Sequence, residues 1–191
     1  QYFWIASRIF AISPNSFFDN NNSYDYHFYF YLQRNWKYSF YKIKTYSTGQ
    51  ELQVDLSSLQ TLGSGVGSYA AGYMFQSNFD IYSISIPELR EIYGSYTARN
   101  MFAGCGKLAS LNVTGFNTSS VGDMSYMFYN CSSLGAISVD DFDTIRVTDM
   151  KGMFDNCKNL TSLNLNKFDT VNVTDMSGMF KWCMSFNQPL N

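Results

Sequence analysis

This chain has one histidine, His27, in 191 residues, and its charged residues make up 15% of the total with a formal net charge of -2. A lone histidine without a placeable Ser, Cys or Asp partner gives no nucleophile and base pair. It also leaves little from which to build a zinc site, because the four cysteines occur singly rather than at the two- to four-residue spacing zinc ligands favour. No Lys/Arg cluster is present, so the sequence has no electrostatic footprint for nucleic acid or an anionic membrane. No apolar run reaches 18 residues, which excludes a membrane-spanning helix. The chain opens Gln1-Tyr2-Phe3-Trp4 without a charged segment and small-residue cleavage site, and a missing leader of this kind says little about compartment. Cofactors and metals are therefore expected to be absent, and no catalytic residue is assigned.

What is abundant is a pattern. Met-Phe recurs at Met101-Phe102, Met127-Phe128, Met153-Phe154 and Met179-Phe180, 26 residues apart, and each pair is followed by Cys105, Cys131, Cys157 or Cys183. Self-similarity at a fixed period of this length is the signature of stacked repeat architectures and outranks any local motif. Leu108, Leu134 and Leu160 are in phase, as are Leu111, Ile137 and Leu163, then Val113, Val139 and Leu165, then Phe116, Phe142 and Phe168. Thr118, Thr144 and Thr170 repeat, and Asp123, Asp149 and Asp175 directly precede Met124, Met150 and Met176. Met74-Phe75 with Ile81, Ile84 and Ile86 forms a weaker unit, and Val54, Leu56 and Leu59 suggest another, so the array decays toward its N-terminal side.

Each unit reads as one short strand and one helical turn. Leu160-Thr161-Ser162-Leu163-Asn164-Leu165 alternates apolar and small polar residues in the manner of a half-buried strand. The run from Val173 to Cys183 places Val173, Met176, Met179, Phe180 and Cys183 three and four apart, which predicts a short helix. Thr174 or Asp175 would cap that turn, worth ~1 kcal/mol. One unit cannot bury its apolar stripe alone, but stacking sets each Leu, Phe, Met and Cys over its counterpart. On this reading the cysteines are buried free thiols, the methionines are core, and the single Asp per unit is structural rather than part of a calcium loop.

The unit written MFxxCxxLxxLxVxxFxTxxVxDMxxMF, seen from Met127 to Phe154 and again from Met153 to Phe180, resembles the repeat of the BspA-like leucine-rich-repeat surface protein family. Ser185 to Asn191 resembles a common variant of it, and the likeness covers roughly residues 50–191. The resemblance implies a leucine-rich-repeat-like solenoid on secreted or surface-attached proteins that bind host proteins, other cells or matrix.

Two domains are expected. Residues 49–191 form the repeat array, with two degenerate units, three regular ones and a partial last one, while residues 1–48 are aromatic and alternate in a way that predicts a β-rich cap. Such a cap would cover the first unit's open edge, and its Tyr29, Tyr31, Trp36 and Tyr38 are a candidate aromatic binding surface. Gly63-Ser64-Gly65-Val66-Gly67 lacks the rest of a dinucleotide fingerprint and reads as a loop. The remaining candidate is the outward row of the strands: Ser110, Asn112, Ala136, Ser138, Asp140, Ser162, Asn164 and Asn166, a weakly charged hydrogen-bonding strip. No pair of carboxylates escapes the repeat pattern, which argues against a glycosidase. The function expected is a non-catalytic adhesion or recognition module, secreted or on the cell surface, that binds protein or glycan partners. The alternative is a self-assembling structural subunit of an extracellular filament, sheath or virion.

Overall fold

The structure, a computed structural model, describes residues 52–55, 61–62, 72–86, 91–92 and 98–189. The aromatic segment 1–48, with Tyr29, Tyr31, Trp36 and Tyr38, and the glycine run 63–67 lie outside the described residues. Five short strands occur among the described residues: β1 (Leu52–Asp55), β2 (Thr61–Leu62), β3 (Ile81–Ser85), β4 (Glu91–Ile92) and β5 (Ser110–Asn112). They pair in parallel, in the order β1-β3-β5 in one sheet and β2-β4 in the other. Ile84 stands opposite Leu111, and Ser83 and Ser85 stand opposite Ser110 and Asn112, so the register follows the repeat. In β5 Leu111 is buried between exposed Ser110 and Asn112, as pleat alternation requires, and in β3 Ile81 and Ile84 are the buried residues.

Beyond β5 the strand slots shorten to single bridges. Ala136 pairs with Ser162, and Asp123, Asp149 and Asp175 pair in succession. The Met-Phe side of each unit carries the greater share of the backbone bonding. Tyr126, Phe128 and Asn130 donate their amides to Lys151, Met153 and Asp155 in the next unit, at 2.8, 2.9 and 2.8 Å. The alternate residues Met127, Tyr129 and Cys131 bond back to Met124, Tyr126 and Phe128 in their own unit. The same alternation holds for Asn100, Phe102 and Gly104 and for Gly152, Phe154 and Asn156.

This is where the structure departs from the predicted helix: among the described residues the Met-Phe runs are chains of tight turns. A helix would send every amide back to the carbonyl four residues earlier and leave none for a neighbour. Here two positions per unit are left-handed, Tyr126 (φ 57°) and Asn130 (φ 58°) in one and Gly152 (φ 56°) and Asn156 (φ 63°) in the next, and they break the helical path. Asparagine and glycine enter that region most easily. The three- and four-residue spacing of apolar side chains survives because successive turns return the chain to the same side.

The core is a column of rings. Phe75, Phe102, Phe128, Phe154 and Phe180 stack with near-parallel planes, centroids 5.4, 5.5, 5.2 and 5.6 Å apart. Phe186 closes the column against Phe180 at 4.9 Å. Met101, Met127 and Met153 are fully buried beside them, as are Leu108, Leu134 and Leu160. Offset rings at such separations add ~0.5–1.5 kcal/mol per pair beyond the area they bury. Buried Thr118 and Thr144 tie the far side together by donating to the carbonyls of Asp143 and Asp169, 2.8 and 2.9 Å away.

Candidate functional site

The strand row predicted from the repeat phase comes together as one open groove of about 790 Å³. Ser110, Ala136, Ser138, Asp140, Ser162, Asn164 and Asn166 line it, with Leu111, Ile137 and Leu163 as the apolar floor between them. Asn112 is exposed beside the groove, where its Oδ1 accepts the amide of Thr114 at 3.1 Å. Small side chains at 110, 136 and 162 keep the surface shallow, so the polar groups beyond them form its relief.

Those polar groups orient one another. Asp140 accepts from Ser138 Oγ at 3.0 Å on one oxygen and from Asn164 Nδ2 at 2.6 Å on the other. Asn164 Oδ1 in turn accepts the amide of Asn166 at 3.2 Å. A carboxylate held by two neutral donors from adjacent units is fixed in place but remains an acceptor, since each oxygen has a second lone pair. The hydroxyls of Ser110 and Ser162 have no protein partner among the described residues and remain available to a ligand.

Sequence reasoning missed Gln188 and Pro189, which also line the groove. Gln188 accepts the amide of Leu163 through Oε1 at 3.0 Å and donates Nε2 to the Leu163 carbonyl at 2.6 Å. Its side-chain amide thus takes the place a backbone peptide would occupy in a further ladder rung. The variant repeat at Ser185–Asn191 carried that signal, because a glutamine in a strand slot presents one donor and one acceptor at the end of a short arm.

The four cysteines are free thiols. Cys105, Cys131 and Cys157 are buried and Cys183 is half-buried. Each thiol donates to a phenylalanine carbonyl of the preceding unit, Cys131 to Phe102 at 3.2 Å and Cys157 to Phe128 at 3.1 Å. Burial pushes the Cys105 thiol up to about 12, against a backbone amide at Asn78 that pulls it down. Burial likewise raises Cys131, Cys157 and Cys183. Burial and a raised pKa both make such a thiol slow to react.

The repeating aspartates close tight turns. Asp123, Asp149 and Asp175 each accept the amide two residues on through Oδ1, at 2.8, 2.9 and 2.8 Å. Asp123 also pairs with Arg99 at 3.1 Å, and Asp175 lies 3.7 Å from Lys151. Among the described residues no three His, Cys, Asp or Glu side chains converge as metal ligands would, and no helix is long and apolar enough to cross a membrane. Neither a curated protein nor a solved structure matches the chain. Residues 96–191 match the model of the family described as "Mycoplasma protein of unknown function, DUF285", and the chain belongs to that family.

Proposed function

We propose that this protein is a non-catalytic recognition module, a leucine-rich-repeat-like solenoid of the BspA-like surface type, which acts in adhesion outside the cell or at its surface. The solenoid reading is supported by backbone bonds that run from unit to unit at the repeat period and by the continuous column of phenylalanines. The observation that carries the function is the strand-face groove. Repeat proteins of this kind bind along extended surfaces, where many weak contacts add. Here three successive units present small side chains and pre-oriented hydrogen-bonding groups along a single line. Protein or glycan partners rich in hydroxyl and amide groups would fit it, because those groups pair with Ser110, Ser162, Asn164 and Asp140 without a buried charge left alone.

The reading is tested by placing two arginines in the groove. Ser138→Arg with Ser162→Arg fills the strip with bulky side chains at exposed positions, so the fold should keep its melting temperature. The intact protein is applied to a panel of immobilised matrix proteins and glycans. Saturable binding by the parent chain, weakened about tenfold or more in the double variant, is expected. Binding to no member of the panel, or equal binding by both proteins, overturns the reading.

A further inference from the structure

The strand-face groove is more selective in its chemistry than in its shape. Among the described residues no aromatic side chain lines it, and Asp140 is its one charged lining residue. A sugar ring therefore finds no aromatic face to lie against. The floor is aliphatic instead: Leu111, Ile137 and Leu163, with Ala109, Ala136 and Pro189 around them. The polar groups stand on two periods at once. Within a unit, Ser162 and Asn164 are exposed two residues apart, ~6.6–6.8 Å in extended chain, and equivalent slots of adjacent units lie ~4.8 Å apart. An extended polypeptide presents every second side chain at the first of these periods, so several contacts fall into register together.

Asp140 has neutral donors but no cation. Elsewhere Arg99 holds Asp123, Lys107 holds Asp80 and Lys151 lies near Asp175. Among the described residues Asp140 makes no such pair, and neither do Asp141 and Asp143 beside it, which accept the amides of Gly115 and Ile145. Lys167 follows Asn166 in sequence but does not line the groove. Ser138 and Asn164 give Asp140 one neutral donor per oxygen, which holds the carboxylate still and leaves a lone pair on each. Two fixed oxygens, each with room for one more donor, match the parallel N–H groups of a guanidinium. In the same slot of the next unit stands exposed Asn166, whose side-chain amide has no protein partner among the described residues. Gln188 shows what such a group does in this molecule: one carboxamide bonds both the N–H and the C=O of Leu163, at 3.0 and 2.6 Å.

We propose that the groove takes an extended peptide bearing arginine, a narrowing that rests on the recognition reading above. The guanidinium donates to both oxygens of Asp140, its aliphatic stem lies over the apolar floor, and the carboxamide of Asn166 bonds the N–H and C=O of one ligand residue. Lysine fits less well, because an ammonium cannot offer two parallel donors. A glutamate in the same place is repelled by Asp140.

Isotope-labelled intact protein is titrated with blocked heptapeptides of alternating serine and valine that carry arginine, lysine, glutamine or glutamate at the centre, and with chitotetraose as the glycan arm. Binding is read from NMR shifts. The arginine peptide should bind saturably, move the Asn164 and Asn166 signals, and bind at least about fivefold tighter than the glutamine peptide. At 1 M salt, where charges are screened beyond ~3 Å, that preference should shrink. Asp140→Asn keeps an acceptor for Asn164, and the Ser138 hydroxyl can turn to accept, so melting should hold while the arginine and glutamine peptides become equal. Asn166→Ala should weaken both peptides alike, by about threefold. Binding of no peptide, equal binding of the arginine and glutamine peptides by the parent, a preference that survives Asp140→Asn, or peptide binding unchanged in Ser138→Arg/Ser162→Arg overturns the proposal. If chitotetraose binds in the groove and no peptide does, this proposal falls while the recognition reading stands.

Discussion

The turn side and the strand side of each unit contain similar apolar residues but hold the stack together differently. On the turn side, Asn100, Phe102 and Gly104 cross to the next unit, then Tyr126, Phe128 and Asn130, then Gly152, Phe154 and Asn156, and the phenylalanine column runs beside them. On the strand side the ladder thins from β3 and β5 to a single bridge, Ala136 with Ser162, and Gln188 completes one rung with its side chain. Cohesion in this molecule is therefore concentrated where the chain turns. The strand side is left freer to vary its outward residues, since few of them hold a neighbour.

If cohesion resides in the ring column, removing one ring should have the largest effect. Phe154 is fully buried and stacks against both Phe128 and Phe180. Phe154→Ala is expected to lose ~3–5 kcal/mol in chemical denaturation, from lost transfer energy and the cavity left between two rings. An unchanged unfolding curve would show that the column is not what holds the units together. Gly152→Ala tests the turns themselves. The residue is left-handed, and an added Cβ would sit 2.5 Å from Tyr126 Cε1, which must swing away. The backbone alone should cost about 1–2 kcal/mol, and Gly135→Ala, where the nearest atom is 3.9 Å away, serves as the mild comparison.

How much of this was legible in the sequence follows from the same contrast. The phase of Phe102, Phe128 and Phe154 predicted which side chains would stack, because period alone fixes equivalence between units. It could not tell a helix from a chain of turns, since both return Met150, Met153, Phe154 and Cys157 to one side. The distinguishing signal was weaker: asparagine or glycine at two fixed slots, Asn100, Gly152 and Gly178 in one and Gly104, Asn130 and Asn156 in the other. Tyr73, Ser77, Tyr126 and Trp182 obscured it by occupying those slots without the usual residue type. Of the strand groove, Ser110, Ser138 and Ser162 were readable by alternation, but the Gln188 arm was not, because it depends on a side chain imitating backbone.

The cysteines extend the comparison to pH. The folded Cys105 thiol stands at about 12 against an ordinary 9.0, raised by burial. Above pH 9 the unfolded chain therefore releases a proton that the folded chain keeps, so the stability of the fold falls as pH rises from about 9 toward 12. Below that window the contribution is constant. Melting temperature should be flat between about pH 6 and 8 and decline above 9, with a shallower decline in Cys105→Ala relative to its own neutral value. Equal slopes in the two proteins would show that Cys105 does not titrate with unfolding. Thiol labelling of native protein should modify half-buried Cys183 first and the three buried thiols slowly.

The smallest effect is expected on the strand side. Ser110 and Ser162 are exposed, and their hydroxyls have no partner among the described residues, so Ser110→Ala and Ser162→Ala should each leave stability within about 0.5 kcal/mol. Asp140→Ala is a sharper probe, because it leaves Asn164 Nδ2 and Ser138 Oγ without their shared acceptor. Both donors are exposed and can turn to water, so this change should remain near 1 kcal/mol or below. A loss as large as that of Phe154→Ala would mean that the groove's polar line holds the units together. Its residues would then be fixed by folding, and the freedom to vary that a recognition surface needs would have to lie elsewhere on the molecule.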